Sequence, residues 1–401
     1  MKAKITPGKL SGTIVVIPSK SQAHRLLICA ALGQTPTKLE CAAASQDILA
    51  TADCLNALGA KITHTNGGFE VAPIQRIPEK ALLDCRESGS TLRFLLPVAG
   101  ALGVEATFQM AGRLPQRPLS PLWEEMERMG CKLSWQTGNT LLCRGKLQPG
   151  AYEMAGNVSS QFISGLLLAL PLLESASTLR LTGQVESRPY ISLTLDALRQ
   201  FGVKIVESGD LFSIFAEKMP QASDDFTVEG DWSNGAFWLV AKALGSSVQC
   251  TGLNPNSAQG DRAVQSWLPR LGSGCAVDLA DIPDLAPILA VAAAVKPGCT
   301  HFIHAARLRL KESDRIATVC AMVQGLGGKT EETPDSFTVW GGGLAGGTVS
   351  AAGDHRIAMA AAIAATVCRQ PVTILGAETV EKSYPAFWQD YTRLGGKLEI
   401  E

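Results

Sequence analysis

Charge is scarce in this sequence and evenly split. Only 18% of its 401 residues are charged, with 36 Lys and Arg facing 37 Asp and Glu, where an average globular chain carries about 25%. That scarcity excludes a disordered acidic or basic tail. The balance excludes a protein that grips nucleic acid or a membrane surface through a broad basic face, so any anion binding has to be local. Paired cysteines are missing too. The eleven Cys stand singly from Cys29 to Cys368 with no C-x-x-C spacing, which indicates neither a disulfide framework nor a zinc site and suits a reducing compartment. The longest apolar runs, GLLLALPLL and LAPILAVAAAV, fall short of the ~18 residues that span a bilayer. The opening MKAKITPGKLSGTIVV has no apolar core followed by a small-residue cleavage site, so no secretory leader is expected. His301 and His304 come without further metal ligands, and the seven Trp are not interleaved with basic residues. The expectation is a soluble cytoplasmic protein without metal or cofactor, binding neither membrane nor nucleic acid.

What the sequence does have is length and periodicity. At about 150 residues per domain, the chain makes two or three domains with ample core. A long apolar residue followed by Gly closes a helix-like segment six times, at Leu58-Gly59, Met129-Gly130, Phe201-Gly202, Leu271-Gly272, Leu326-Gly327 and Leu394-Gly395. The intervals are about 70 residues, except one of about 55 ahead of Leu326. Five of the six lead into Lys and an apolar or β-branched residue, as in LGAKI and FGVKI, which reads as a helix, a Gly cap and a strand. A second phrase, a polar cap before an Ala/Leu-rich helix, begins near Ser19, Glu87, Asn157, Asp231, Asp281 and Asp354. Helices apolar all round belong in an interior. The two signals agree on six units, each with a buried helix, an amphipathic helix and short strands. The economical arrangement is two α/β domains of three units each, divided near Glu229 after the polar stretch PQASDDF.

Lys, Arg and Ser gather at the starts of these helices, where free backbone N–H groups and the helix dipole favour anions. Lys20, Ser21 and Arg25 lie at one start, Gly89, Ser90 and Arg93 at the next, and Ser159, Ser160 and Gln161 at a third. One such start is ordinary capping, but a cation repeated in otherwise apolar helix starts is not. Other charges interrupt apolar context: Arg113 and Arg117 in RLPQRP, Lys311, Glu312, Asp314 and Arg315 in KESDR, His355 and Arg356 in DHR, and Lys382 in EKSYP. If KESDR is helical, Lys311 and Arg315 lie one turn apart and repel. An anion between them would relieve that, and all these groups could converge on one polyanionic small molecule.

In their order along the chain, SKSxxxR, SGSTLR, RPLSPL, SSQF, DIPDLAP, KESDRI, DHRIAM and KSYP resemble the motifs of the EPSP synthases, the 3-phosphoshikimate 1-carboxyvinyltransferases of the enolpyruvyl transferase family. The resemblance runs from Pro18 almost to the C-terminus. It implies an inside-out α/β barrel of two similar domains, each with three βαβαββ-type repeats around buried helices. Residues 1–18 plus 229–401 would form one discontinuous domain and 19–228 the other, with the active site in the cleft between them. It implies a monomeric shikimate-pathway enzyme, serving chorismate and aromatic amino acid biosynthesis without a cofactor. The reaction would move the enolpyruvyl group of phosphoenolpyruvate onto the 5-hydroxyl of 3-phosphoshikimate and release phosphate.

The same resemblance assigns Lys20, Ser21, Arg25, Ser159, Ser160, Gln161, Ser187, Asp284 and Lys311 to 3-phosphoshikimate, with Arg25 as a fork to its carboxylate. It assigns Lys20, Gly89, Arg117, Gln161, Arg315, Arg356 and Lys382 to phosphoenolpyruvate, with Arg93 and Tyr190 as further contacts. Asp284 matches the carboxylate that accepts the 5-hydroxyl proton, while Glu312 and Lys20 match groups that move protons at the methylene carbon. Glu87 and Arg307 stand where the family usually has Asn. Two alternatives share the scaffold. The sister transferase acting on UDP-N-acetylglucosamine carries a Cys in the loop before its RP element, which GRLPQRPL lacks. A catalytically inactive anion-binding protein would not be expected to keep Lys20, Asp284, Glu312, Arg356 and Lys382 together.

Overall fold

A computed structural model describes residues 1–216 and 225–401; most of the polar stretch at 220–226 lies outside the described residues. The helices alternate in character along the chain. They are α1 (Lys20–Leu32), α2 (Gln46–Ala57), α3 (Gly89–Leu102), α4 (Leu122–Arg128), α5 (Ser160–Ala169), α6 (Arg188–Gln200), α7 (Trp232–Ala243), α8 (Val264–Trp267), α9 (Ala286–Val295), α10 (Arg315–Gly325), α11 (His355–Ala365) and α12 (Phe387–Arg393). The odd-numbered helices are the apolar ones and are enclosed: α3 buries twelve of its fourteen residues and α11 all eleven. Even-numbered helices bury one face only, as α6 does with Ile191, Leu193, Thr194, Ala197 and Leu198.

The six recurring glycines end the even-numbered segments. All six have φ between 77° and 108°, a region open to Gly and costly for any residue with a Cβ, so each can stop a helix and turn the chain into a strand.

The chain divides into two compact units, Met1–Ile17 with Gly230–Glu401, and Pro18–Glu229. In the Pro18–Glu229 unit three four-stranded sheets share one order. The strands Lys80–Asp84, Glu105–Gln109, Thr140–Gly145 and Cys131–Gln136 show it, the first pair parallel and the others antiparallel. A repeat thus runs strand, buried helix, parallel strand, surface helix, hairpin. The sheet around Thr37–Glu40 takes its parallel partner, Asp225–Thr227, from the far end of the unit.

In the other unit the N-terminal segment closes the sheets. Lys2–Thr6 inserts between Val372–Leu375 and Lys397–Ile400, and Ser11–Val15 pairs in parallel with Ser247–Thr251. That second sheet has only two strands, because Gly272 leads straight into Ser273–Asp278 with no hairpin between. A hairpin is about 15 residues, which accounts for the one short interval in the sequence repeat.

Each unit has its own core, with helices inside and sheets outside, an inside-out α/β barrel. One core is filled from α1, α3 and α5, including Leu26, Phe94, Leu95, Phe162 and Leu166, and the other from α7, α9 and α11, including Phe237, Ile288, Leu289, Ile357 and Met359. Each such side chain contributes about 1.5–3 kcal/mol on burial. No helix among the described residues is long and apolar enough to cross a membrane.

Glycines at positive φ are unequal in their surroundings. A Cβ at Gly59 would meet the Arg76 carbonyl at 2.5 Å, whereas one at Gly209, also at positive φ, meets nothing within 4 Å. Gly209→Ala should cost about 1–2 kcal/mol from backbone strain alone, and Gly59→Ala clearly more. Urea unfolding of the two variants checks the order; equal losses would show that the close approach at Gly59 relaxes freely.

Candidate active site

At one end of the Pro18–Glu229 unit the starts of α1, α2, α3, α5 and α6 are joined by their own side chains. Ser19, Ser45, Ser88 and Ser159 cap four of them, each hydroxyl accepting a backbone N–H one turn in. Lys20 reaches Asp47 in the first turn of α2, Nζ to Oδ2 2.8 Å. Arg25 is 2% exposed. Its Nε donates to Thr194 Oγ1 at 2.7 Å, its Nη1 to the Ser21 carbonyl at 2.5 Å, and its Nη2 to Ser164 Oγ at 3.2 Å and the Tyr190 carbonyl at 2.9 Å. All four acceptors are neutral, and burial holds the guanidinium down at about 10.

Arg93 and Arg117 converge on Gly89. A Cβ there would come within 2.7 Å of Arg117 Nη1 and 3.2 Å of Arg93 Nη1, so any side chain would push two like charges apart. Arg93 Nη1 donates to Gln161 Oε1 at 2.7 Å, and Gln161 Nε2 donates to Ser90 Oγ at 3.0 Å, which ties α3 to α5. Ser160 and Ser187 are buried at the starts of α5 and α6. Ser187 has φ 57°, a left-handed conformation that costs a non-glycine residue about 1–3 kcal/mol.

The other unit gathers the starts of α9, α10 and α11 around Asp284. Asp284 sits on the short turn Pro283–Leu285 that leads into α9. Its Oδ1 accepts from Arg315 Nη1 at 2.9 Å, its Oδ2 from Arg356 Nη2 at 2.7 Å, and Lys311 Nζ lies 3.8 Å from Oδ1. Arg315 is fully enclosed and touches two more carboxylates, Glu312 at 2.7 Å and Asp354, the cap of α11, at 2.9 Å. Burial would raise the Asp284 carboxyl, but Arg356, Lys311 and Arg315 outweigh it and hold that group far below the usual carboxylate range. Burial pulls the Lys311 ammonium down to about 8, helped by the like charge of Arg315 and opposed by Asp284. Lys382 donates to the Gly353 carbonyl at 3.1 Å, just ahead of the start of α11.

Two expectations change in detail. KESDR is not helical through Lys311: Asp314 caps α10 by accepting the Ala317 N–H at 3.2 Å, so the helix begins at Arg315. The anion between Lys311 and Arg315 is the Asp284 carboxylate. Arg25, expected as a fork to a ligand carboxylate, already spends four of its five N–H groups within the protein.

Sequence reasoning missed Asp261 and Asp47. Asp261 is 2% exposed, takes a hydrogen bond from Ser233 of α7, and is pushed up to about 7 by burial and by the Asp284 charge. Its signal was faint, one acid in the polar run SAQGDR. Asp47 follows the Ser45 cap, where an acid reads as ordinary helix-end chemistry.

Buried helices whose polar starts carry paired guanidiniums, on repeated βαβαββ units, define a class: an α/β protein built to hold a small anionic ligand. Residues 5–391 match the family model for EPSP synthase (3-phosphoshikimate 1-carboxyvinyltransferase). The chain belongs to the EPSP synthase family. It is 39% identical to a 3-phosphoshikimate 1-carboxyvinyltransferase of Clostridium kluyveri over 415 residues, covering 98% of this chain and 97% of that protein. It is also 39% identical to one of Clostridium beijerinckii over 425 residues, covering 99% and 98%. A solved EPSP synthase from Acinetobacter baumannii superposes with a TM-score of 0.82 over 100% of both chains at 24% identity, a likeness of fold.

Two stability effects follow from the carboxylates. Asp354→Ala removes one of the three carboxylates around Arg315 and uncaps α11, and should cost about 2–5 kcal/mol from the lost charge-assisted hydrogen bond and the lost cap. Asp261 has a raised folded value, so its contribution is full below about 4 and is lost as pH rises through about 7. Asp261→Asn should therefore gain stability relative to the parent between pH 5 and 8. Denaturant midpoints at the two pH values check both; a constant difference for Asp261→Asn would show that its carboxyl ionises normally.

Proposed function

We propose that the protein transfers the enolpyruvyl group of phosphoenolpyruvate to the 5-hydroxyl of 3-phosphoshikimate, giving 5-enolpyruvylshikimate 3-phosphate and phosphate. One observation carries the reading: Arg25 is buried against neutral oxygens only, in the unit where Arg93 and Arg117 converge on a glycine. A buried cation without a counter-charge is costly. A phosphate or carboxylate arriving there offsets that cost.

In this reading Lys20, Ser21, Arg25, Ser159, Ser160, Gln161 and Ser187 hold 3-phosphoshikimate together with Asp284 and Lys311. Lys20, Gly89, Arg117, Gln161, Arg315, Arg356 and Lys382 hold phosphoenolpyruvate. With four of its N–H groups engaged, Arg25 supplies charge and a single donor unless it gives up a protein contact. Both groups of residues draw on both units. A cytoplasmic location and a monomeric state belong to the same reading.

The chemistry is an addition followed by an elimination. Asp284 takes the proton of the 5-hydroxyl as that oxygen bonds to C2 of phosphoenolpyruvate, and the methylene carbon gains a proton from Lys20 or Glu312. The adduct then loses a proton from that carbon while the bond from C2 to the phosphate oxygen breaks, and phosphate leaves with the electron pair. Paired with three cations, Asp284 is firmly ionised but weakly basic. Two of those cations, Arg315 and Arg356, are the ones assigned to phosphoenolpyruvate. A substrate that draws them off raises the basicity of Asp284 when the proton has to move.

The test is phosphate release by purified protein with both substrates, each omitted in turn; release without 3-phosphoshikimate, or none with the pair, overturns the assignment. Asp284→Asn should lower turnover by roughly 100- to 10,000-fold, the usual loss for a general base, with substrate affinity little changed. Arg356→Ala removes charge-assisted hydrogen bonds of about 1.5–3 kcal/mol each and should raise the apparent KM for phosphoenolpyruvate ten- to hundredfold. Calorimetry should show 3-phosphoshikimate still binding that variant alone. Equal weakening of both substrates would remove Arg356 from its role.

A further inference from the structure

A buried chain of four side chains joins three helix starts in the Pro18–Glu229 unit and has no part in the chemistry above. His24 of α1 is fully enclosed, with Nδ1 2.7 Å from Thr51 Oγ1 of α2. Thr51 Oγ1 is 2.7 Å from Thr91 Oγ1 of α3, and the Thr91 hydroxyl donates over 2.7 Å to Ser88 Oγ. Ser88 caps α3, accepting the Thr91 N–H at 3.2 Å, and Gly89 is the next residue. Thr51, Thr91 and Ser88 are each 0% exposed.

The proton count gives the chain a direction. Each hydroxyl has one proton. The Thr91 hydroxyl faces two acceptors, Ser88 Oγ at 2.7 Å and the Asp47 carbonyl at 3.4 Å; with its proton on either, Thr51 gives its own to Thr91, and His24 donates its Nδ1–H to Thr51. Nε2 is then a bare acceptor, and among the described residues it has no hydrogen-bond partner. The ring stands edge-on to Phe94, centroids 6.3 Å apart. Burial, with the charges of Lys20 and Arg25 nearby, pushes the imidazole well below its usual range and keeps it neutral. A buried hydrogen-bonded chain fixes relative position, and a break leaves further polar groups stranded away from water.

We propose that His24, Thr51, Thr91 and Ser88 form a positioning relay that sets the start of α3, with Gly89 and the Arg93–Arg117 pair, against Lys20, one turn ahead of His24 on α1. The inference rests on the functional reading above, since it assigns the relay to holding the phosphoenolpyruvate contacts.

Thr51→Val keeps the side-chain shape and removes the link. It should raise the KM for phosphoenolpyruvate about tenfold or more, while 3-phosphoshikimate binding measured alone by calorimetry stays within about twofold. Thr51→Ser restores the hydroxyl and should bring KM back within about threefold. A folded Thr51→Val protein with parental KM overturns the relay, as does failure of Thr51→Ser to rescue. If the unaltered protein has no turnover with the substrate pair, the functional reading fails instead. Should Thr51→Val not fold, nitrogen NMR of the unaltered full chain decides: His24 at pH 7 should be neutral with its proton on Nδ1. A proton on Nε2, or a charged ring, overturns the relay.

Discussion

The enclosed guanidinium of Arg315 is the interaction on which the Asp284 site depends. At 1% exposure it carries a full charge where water cannot solvate it, and three carboxylates make that tolerable: Asp284 ahead of α9, Glu312 ahead of α10 and Asp354 at the cap of α11. Each comes from a different helix start, so one cation fixes the geometry of three. Asp354 also accepts the Arg356 N–H at 3.0 Å, so the residue that neutralises Arg315 aims the backbone of the next cation. The base of the proposed reaction is therefore held by the binding residues rather than beside them.

The two units meet the same problem of buried charge in different ways. Around Asp284, cations and carboxylates alternate and neutralise one another. Around Arg25 the acceptors are the hydroxyls of Thr194 and Ser164 and the carbonyls of Ser21 and Tyr190, none of which carries charge. The first cluster is neutral by itself, whereas the buried Arg25 charge would be offset by an anion.

Much of the fold could be read in the sequence because its repeat rests on backbone constraints. Gly59, Gly130, Gly202, Gly272, Gly327 and Gly395 all take positive φ, and a position that only glycine fills comfortably leaves a mark at every copy. The apolar helices were legible for the same reason, since a helix enclosed on all sides has no room for a polar face. Lys20, Arg93, Arg315 and Arg356 stood out as cations in apolar helix starts. The site's quieter members left no such mark. Thr51 and Thr91 read as ordinary helix residues, and their hydrogen bond exists only because α2 and α3 pack. Asp261 becomes unusual only through burial beside Asp284. The local pattern KESDR could not reveal that Asp314 caps the helix or that the anion between Lys311 and Arg315 comes from residue 284.

The central claim is that the Asp284 cations are shared between the protein's own carboxylate and an incoming anion. Lys311 reports on it, because its ammonium lies at about 8 in the free protein and an added negative charge must raise that value. Calorimetric binding of 3-phosphoshikimate at pH 8, in buffers of different ionisation enthalpy, measures the proton exchanged. The ligand's phosphate, with a second pKa of about 6, is already doubly charged there. The account predicts uptake approaching about half a proton, lost in Lys311→Met. No uptake, or the same uptake in that variant, would contradict it.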